Sequence, residues 1–400
     1  MLIGLPRRRR MVFALALGVN SLGSKIALVA IPWAVLAITG SAVAGGAVVV
    51  CETIPFAAGG LLGGPALARV PALRLVVGAD MLRLLTDAAF GTLVIISCRR
   101  VLPFCLAGLV LGLGNVIGSV GREVLVAESA SALEERVQWN AVIQTARSAA
   151  GILGPIVAGV LLAVVGAAIC FLVDAVTYVF AAGIVWALFR GQATRRVVAG
   201  AVGASQYVRE IVAACRVILR GRSLRLLVSQ GALTNMIITP LAGGILLVLV
   251  AQREWHSASS LGAVVAASSV GTVGGGIVLS RSPMLGARRR YGVLVLAMCL
   301  PFVLFVARFQ IAVGFAMLLF GVLGAWVNVL ADSILQAEIP EAHRSAVFGC
   351  IVSGLAVLEP VGVLVASIIV AQVGVGLTVD AFVGAAAAVG LWSAVVVKNV

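Results

Sequence analysis

Three charged side chains stand deep inside long apolar runs: Lys25 within residues 11–38, Glu52 within 42–68 and Glu359 within 344–371. At the centre of a lipid bilayer a charge costs from about 2.5 kcal/mol to several times that, so each one marks a functional hypothesis. The first two runs are antiparallel neighbours, which sets Lys25 and Glu52 at matched depth. Paired, they would form either a proton-sensitive couple, its carboxylate protonated in one conformation, or a structural tie between two helices. Glu359 directly precedes Pro360 in mid-run, with no partner evident in the sequence. A carboxyl so placed suits a proton carrier, or else fills the kink that the proline makes.

Other side chains are expected to hold these in place or to meet a ligand. Asp80 and Asp87 flank Arg83 at spacings of three and four, so either can satisfy it across one helical turn; the three read as a structural charge cluster near the cytoplasmic face. Arg122-Glu123 and Arg147 read as parts of a gate, and Asp174 and Asp380, near outer ends, as caps or water-facing groups. Four of the six Asn, namely Asn20, Asn115, Asn235 and Asn328, fall inside apolar runs, with Gln144 and Gln230 as further neutral amides. An amide both donates and accepts, so it can meet varied ligands without burying a charge. The alternative use is hydrogen bonding between helices, worth about 0.6–2 kcal/mol each.

The elements that carry these groups follow from composition. The 400 residues are 62% apolar with a mean hydropathy of +1.17, and 44 of them are charged, where a soluble chain would carry roughly 100. No single soluble core buries that much apolar surface, so the fold class is an all-α membrane protein surrounded by lipid. At about 20 residues per crossing, twelve transmembrane helices are expected: 11–38, 42–68, 73–97, 101–127, 140–164, 167–189, 223–251, 258–280, 291–307, 309–331, 344–371 and 375–397. With both termini cytoplasmic, 21 Lys and Arg fall on the inner side and four on the outer, as the positive-inside rule requires. The excess of 29 basic over 15 acidic residues therefore answers to topology, and nucleic acid is not expected as a partner. The seven Cys show no paired or metal-ligand spacing. The Arg7–Arg10 start leads into a run too long for a signal peptide. Almost all the basic residues are Arg, and with the Ala, Gly and Val content this points to a GC-rich bacterial source.

The polar interval 190–222 divides the chain into six-helix bundles at 1–189 and 223–400. Within it, Tyr207, Ile211, Ala214 and Ile218 recur every three or four residues, the pattern of an amphipathic helix at the cytoplasmic interface, or of a simple tether. The two halves also repeat. Gly63-Gly64 through Arg69 to Pro71 matches Gly275-Gly276 through Arg281 to Pro283 in spacing; Leu153-Gly154-Pro155 aligns with Leu358-Glu359-Pro360, and Asp174 with Asp380. Internal duplication of this kind is common in transporters, and the four Asn fall in the first helix of each three-helix unit.

The chain resembles the major facilitator superfamily over its whole length, and within it the macrolide-efflux and enterobactin-exporter-like permeases. The stretches that carry the resemblance are Ser21-Leu-Gly, Ala30-Ile-Pro-Trp33, Thr39-Gly-Ser41, Asp80-Met-Leu-Arg83, Trp139-Asn140, Gly154-Pro155 to Gly159, and Gln336-Ala-Glu-Ile-Pro340 with Arg344 and Phe348. It implies two homologous six-helix bundles, a central cavity lined by the four Asn-bearing helices, and an antiporter element at Gly154, Pro155 and Gly159. It also implies that Arg69 and Arg74 gate the loop after the second helix, although Ala68 stands where the family has Asp, and Ser24 where many members have an acid. The expected function is export of a small organic molecule (a drug, antibiotic or natural product) in exchange for protons. A siderophore exporter and a metabolite importer of the same fold are the alternatives; a non-transporting receptor or anchor is disfavoured by the short loops. No enzyme is expected, and no cofactor beyond the proton gradient: Gly18 to Lys25 mimics a phosphate loop but lies inside an apolar run with no preceding strand. The expected setting is a bacterial plasma membrane, the expected partners a small-molecule substrate and lipid, and the expected working unit a monomer.

Overall fold

The computed structural model describes residues 7–67, 70–129, 133–190, 204–281, 287–339 and 344–396. Its elements are helical: α1 (Arg7–Thr39), α2 (Ala42–Leu67), α3 (Ala72–Ile95), α4 (Val101–Ser129), α5 (Leu133–Val164), α6 (Ala167–Phe189), α7 (Ala204–Arg220), α8 (Arg222–Ala242), α9 (Ile245–Arg253), α10 (Ala258–Ser280), α11 (Ala287–Cys299), a 3₁₀ segment at Leu300–Ala307, α12 (Gln310–Glu338), α13 (Arg344–Val373) and α14 (Val375–Val396). Each of the twelve expected crossings finds one helix or two consecutive ones. Nine helical stretches among the described residues are long and apolar enough to cross a membrane. α3 is not one of these; it has the length but carries Arg74, Asp80, Arg83 and Asp87.

Two crossings are broken, one at a proline and two glycines and the other at a proline. The seventh divides into α8 and α9, where Pro240 interrupts the hydrogen-bond ladder and Gly243 takes φ +155°, a conformation side chains rarely adopt. The ninth passes from α11 into the 3₁₀ segment around Pro301 and ends at Arg308 in a left-handed turn. α5 and α13, by contrast, continue through Pro155 and Pro360 as single helices.

The chain forms two compact units, residues 1–40 with 51–204, and residues 41–50 with 205–400. In the first, Phe13 packs edge-on against Trp139 and Phe189 at 5.2 and 5.4 Å, within a core that also holds Val76, Leu125 and Val185. Phe90 stacks on Phe171 at 5.4 Å beside Phe104. Large apolar side chains such as Leu85, Leu102, Val160 and Leu172 remain exposed, as expected of a surface that faces lipid. In the second unit α7 buries Ala214 and Ile218 and exposes Arg216 and Arg220, the two-faced pattern read from its spacing.

Candidate functional site

The middle of α3 organises the first unit. Arg83, 2% exposed, donates from Nη1 to Asn20 Oδ1 and Asp80 Oδ1, both at 3.2 Å, and from Nη2 to Ser24 Oγ at 2.7 Å and Tyr178 Oη at 2.8 Å. Its guanidinium carbon also lies 4.0 Å above the Tyr178 ring, a favourable cation–π placement. Asn20 Nδ2 donates to Asp80 Oδ1 at 3.2 Å, and Tyr178 Oη donates to Asp174 Oδ2 at 2.9 Å. One planar fork thus joins α1, α3 and α6. Gly114 on α4 makes room for it, since a Cβ there would strike the Arg83 stem.

Several expectations change here. The cluster sits at mid-helix, not near the cytoplasmic face. Asp80 satisfies Arg83, and Asp87 does not: both Asp87 oxygens are buried without a hydrogen-bond partner. Asp174, expected to cap or face water, is 0% exposed, because α6 turns it inward against α1 and α3. Asn20 is spent on the ion network, where its amide bridges Asp80 and Arg83. Sequence reading passed over Tyr178, whose signal was its spacing of four from Asp174, and noted Ser24 only as standing where many family members have an acid.

Lys25 and Glu52 do not form an ion pair within 4.0 Å among the described residues; Lys25 is exposed and Glu52 half-buried. Gly154 accounts for part of the geometry around Lys25. A Cβ at Gly154 would strike Lys25 Cβ and come within 3.2 Å of the Leu22 carbonyl, so α5 meets α1 through the Gly-Pro element. Pro155 and Gly159 are buried on the same helix. Beneath the network, Leu17, Arg122, Glu123, Val126, Asn140, Ile143, Gln144 and Arg147 line a cleft of about 470 Å³. Arg122 Nη1 lies 3.7 Å from Asp80 Oδ1. Two guanidinium groups, of Arg122 and Arg147, therefore border this cleft. Asn115 is half-buried on α4 and Arg74 exposed on α3, while Arg69 lies outside the described residues.

The second unit holds a pocket of about 220 Å³ whose lining includes Gln230, Thr234, Asn235, Tyr291, Phe320 and Asn328. Tyr291 Oη donates to Gln230 Oε1 at 2.6 Å, and Gln230 Nε2 donates to Thr234 Oγ1 at 2.8 Å. Asn235 Nδ2 donates to Glu359 Oε1 at 3.3 Å, supplying the partner that the sequence did not reveal. Three of the six expected amides thus border one cavity, and Asn235 touches both cavity and carboxyl. At the end of this unit Arg308 lies 3.7 Å from Glu254 and 3.5 Å from Asp380, and its carbonyl accepts from Trp255 Nε1 at 2.7 Å. Asp380 is 41% exposed, with one oxygen on Arg308 and the other buried without a hydrogen-bond partner, so the Asp174–Asp380 repeat pair has diverged in role. Among the described residues no group of three or more His, Cys, Asp or Glu is placed to hold a metal ion.

Long apolar helices in two units, each with a polar interior at mid-helix, define a multi-pass membrane transport protein. The sequence profile of the Major Facilitator Superfamily matches residues 13–281, and the chain belongs to that family. Among solved structures, a bacterial homologue of the iron transporter ferroportin in an inward-facing state is similar at a TM-score of 0.76 and 16% identity, covering 98% of each chain. A peptide transporter, POT, gives a TM-score of 0.74 at 12% identity over 98% of this chain and 94% of its own. A nucleoside transporter, NupG, gives 0.72 at 13% identity over 96% and 98%. At such identities the likeness is one of fold. No curated protein matches the chain in sequence.

Proposed function

We propose that the chain exports a small organic molecule across a bacterial plasma membrane in exchange for protons, as a monomer with both termini cytoplasmic. Residues 1–189 rock against 223–400 about the 190–222 linker. The observation that carries this reading is Asn235, which lines the pocket of about 220 Å³ and hydrogen-bonds Glu359. A carboxylate accepts from the amide, whereas a carboxylic acid can donate to it. Protonation of Glu359 therefore changes which face Asn235 offers a ligand. A ligand and a proton that compete through one side chain have the differential affinity that exchange requires. The neutral lining of Gln230, Thr234, Asn328 and Tyr291 suits a substrate with several hydrogen-bonding groups. Export rather than import rests on the Gly154-Pro155 element and its likeness to antiporters.

Accumulation of antibiotics, dyes and siderophores in an efflux-deficient bacterial host tests this directly. Cells expressing the chain should accumulate less of at least one compound, and a protonophore should abolish the difference. Higher accumulation would establish an importer instead. Glu359→Gln and Glu52→Gln should each weaken the gradient-driven component roughly a hundredfold or more, within the 10²–10⁴ range that a positioned proton-transfer group contributes, with expression intact. Unchanged export in both would remove these carboxyls from the mechanism.

A further inference from the structure

Asp87 is the carboxyl of the α3 network that the hydrogen bonds leave out. Its side chain is wholly buried, and neither oxygen has a hydrogen-bond partner. No cation lies within 4.0 Å of it among the described residues. Its electrostatic neighbours are Asp174, Arg83 and Glu52. Arg83 attracts it without bonding it: Nη1 is engaged by Asn20 and Asp80, Nη2 by Ser24 and Tyr178, and Nε, itself buried, makes no hydrogen bond to it. Asp174, also wholly buried, accepts from Tyr178 Oη and from Thr177 Oγ1 at 2.9 and 3.2 Å.

The groups around this pair come from five elements: Asn20, Ser24 and Lys25 on α1, Glu52 on α2, Asp80 and Arg83 on α3, Arg122 on α4, and Thr177 and Tyr178 on α6. Among the described residues the cations that face Asp80, Asp87, Asp174 and Glu52 are Lys25, Arg83 and Arg122, so carboxyls outnumber cations by one. A buried carboxylate with neither donor nor counter-ion is a costly species. A carboxylic acid in the same place is not, and its O–H supplies a donor for a facing carboxylate.

We propose that Asp87 and Asp174 form a second proton-binding site, in the first unit, that holds one proton between two carboxyls. The proposal rests on the proton-exchange reading above and gives that reading a site in the first unit. Release takes the acid–carboxylate pair to two carboxylates and one free proton. The two negative charges then compete with Asp80, Asn20 and Ser24 for Arg83. α1 feels the change at two places: through Asn20 and Ser24, and at Gly23, where an added Cβ would strike Asp174 Oδ1 and Thr177 Oγ1. Proton release thereby loosens the seat of α1 on α6.

Infrared difference spectra of the full-length protein in lipid nanodiscs, taken between acidic and alkaline buffer, read the carbonyl stretch of a protonated carboxyl directly. The wild type should show such a band and lose it on alkaline titration. Asp87→Asn, which keeps the shape of the neutral acid, should remove the component of the band that Asp87 contributes. Asp174→Asn should keep it but weaken proton binding's dependence on the pair, moving its midpoint about one pH unit, the coupling expected of interacting sites. Glu359→Gln, in the other unit, should remove only its own contribution and leave the Asp87 component and its midpoint in place. A band intact in Asp87→Asn, a midpoint unmoved in Asp174→Asn, or no band in the wild type would each overturn the site. The readout needs neither substrate nor gradient. A normal band in a protein without protonophore-sensitive export would therefore uphold the proton site and overturn the antiport reading.

Discussion

Arg83→Ala should cost the protein more stability than any other single change in the first unit. The guanidinium makes four hydrogen bonds, to Asn20, Asp80, Ser24 and Tyr178, at 2.7 to 3.2 Å. Its removal leaves Asp80 with only Arg122, at 3.7 Å, as a counter-ion, and strips Tyr178 of both a hydrogen bond and a cation above its ring. Breaking a buried pair by deleting one partner typically costs about 3–5 kcal/mol, because the remaining charge stays buried and uncompensated. Arg83→Lys should recover only part of this, since an ammonium is a point charge without the planar fork that reaches α1, α3 and α6 together. Thermal melting in detergent, followed by tryptophan fluorescence with size-exclusion of the survivors, measures both. Adding Asp80→Asn to Arg83→Ala should restore some of the loss by removing the orphaned charge. Wild-type melting of Arg83→Ala would show that the network contributes nothing to the fold.

The sequence announced this network only in part, and the reason is topological. Asp80 and Arg83 are one turn apart, so their pairing can be read from spacing alone. Asn20 and Ser24 lie about 60 residues away, and Tyr178 lies 95 from Arg83; only the packing of α1 and α6 on α3 brings them together. The same packing decides Asp87 against Asp80, a choice that spacings of three and four leave open. Asp174 and Asp380 occupy corresponding places in the repeat, yet one is sealed between helices and the other meets Arg308. Duplication is visible in a sequence, whereas later divergence in burial is not.

The helices themselves were more legible than their contacts. Uninterrupted apolar runs fix where a crossing can lie, and α6, expected at 167–189 and found at Ala167–Phe189, needs no tertiary information. The seventh crossing shows where such reading stops. Leu226 to Val250 is apolar enough to hide the α8–α9 break, although Pro240, Gly243 and Gly244 mark it. The same holds for Glu359: its depth followed from the run around it, but its partner Asn235 lies 124 residues away on α8. The Lys25–Glu52 pairing failed for a related reason. Matched depth on neighbouring helices says nothing of the direction in which each side chain leaves its helix.

Three consecutive glycines on α10 give the sharpest remaining expectation, because the fold assigns them opposite consequences. Gly275 meets the backbone of Val322 on α12: a Cβ there would lie 2.6 Å from the Val322 carbonyl oxygen and 2.8 Å from its Cα. Trp326 Nε1 ties the same place by donating to the Gly275 carbonyl at 2.8 Å. Gly271, one turn earlier, abuts the Leu318 carbonyl, and Gly321 on α12 abuts that of Ser268. Backbone cannot swing aside as a flexible side chain can, so the two helices must separate to admit a methyl group. In lipid, helix pairs are held largely by close packing and interhelical hydrogen bonds, and separation forfeits both. Overpacking of this kind costs about 1–3 kcal/mol, and Gly275→Ala, which also strains the Trp326 bond, belongs at the upper end. A Cβ added at Gly274 or Gly276 meets nothing within 4 Å. There alanine should be neutral or stabilising by up to about 1 kcal/mol, the helix-propensity gain over glycine. Melting temperatures of Gly274→Ala, Gly275→Ala and Gly276→Ala, measured side by side, should therefore fall only for the middle variant. Equal shifts in all three would mean that α10 and α12 do not meet backbone to backbone, and the close packing of the second unit would have to be redrawn.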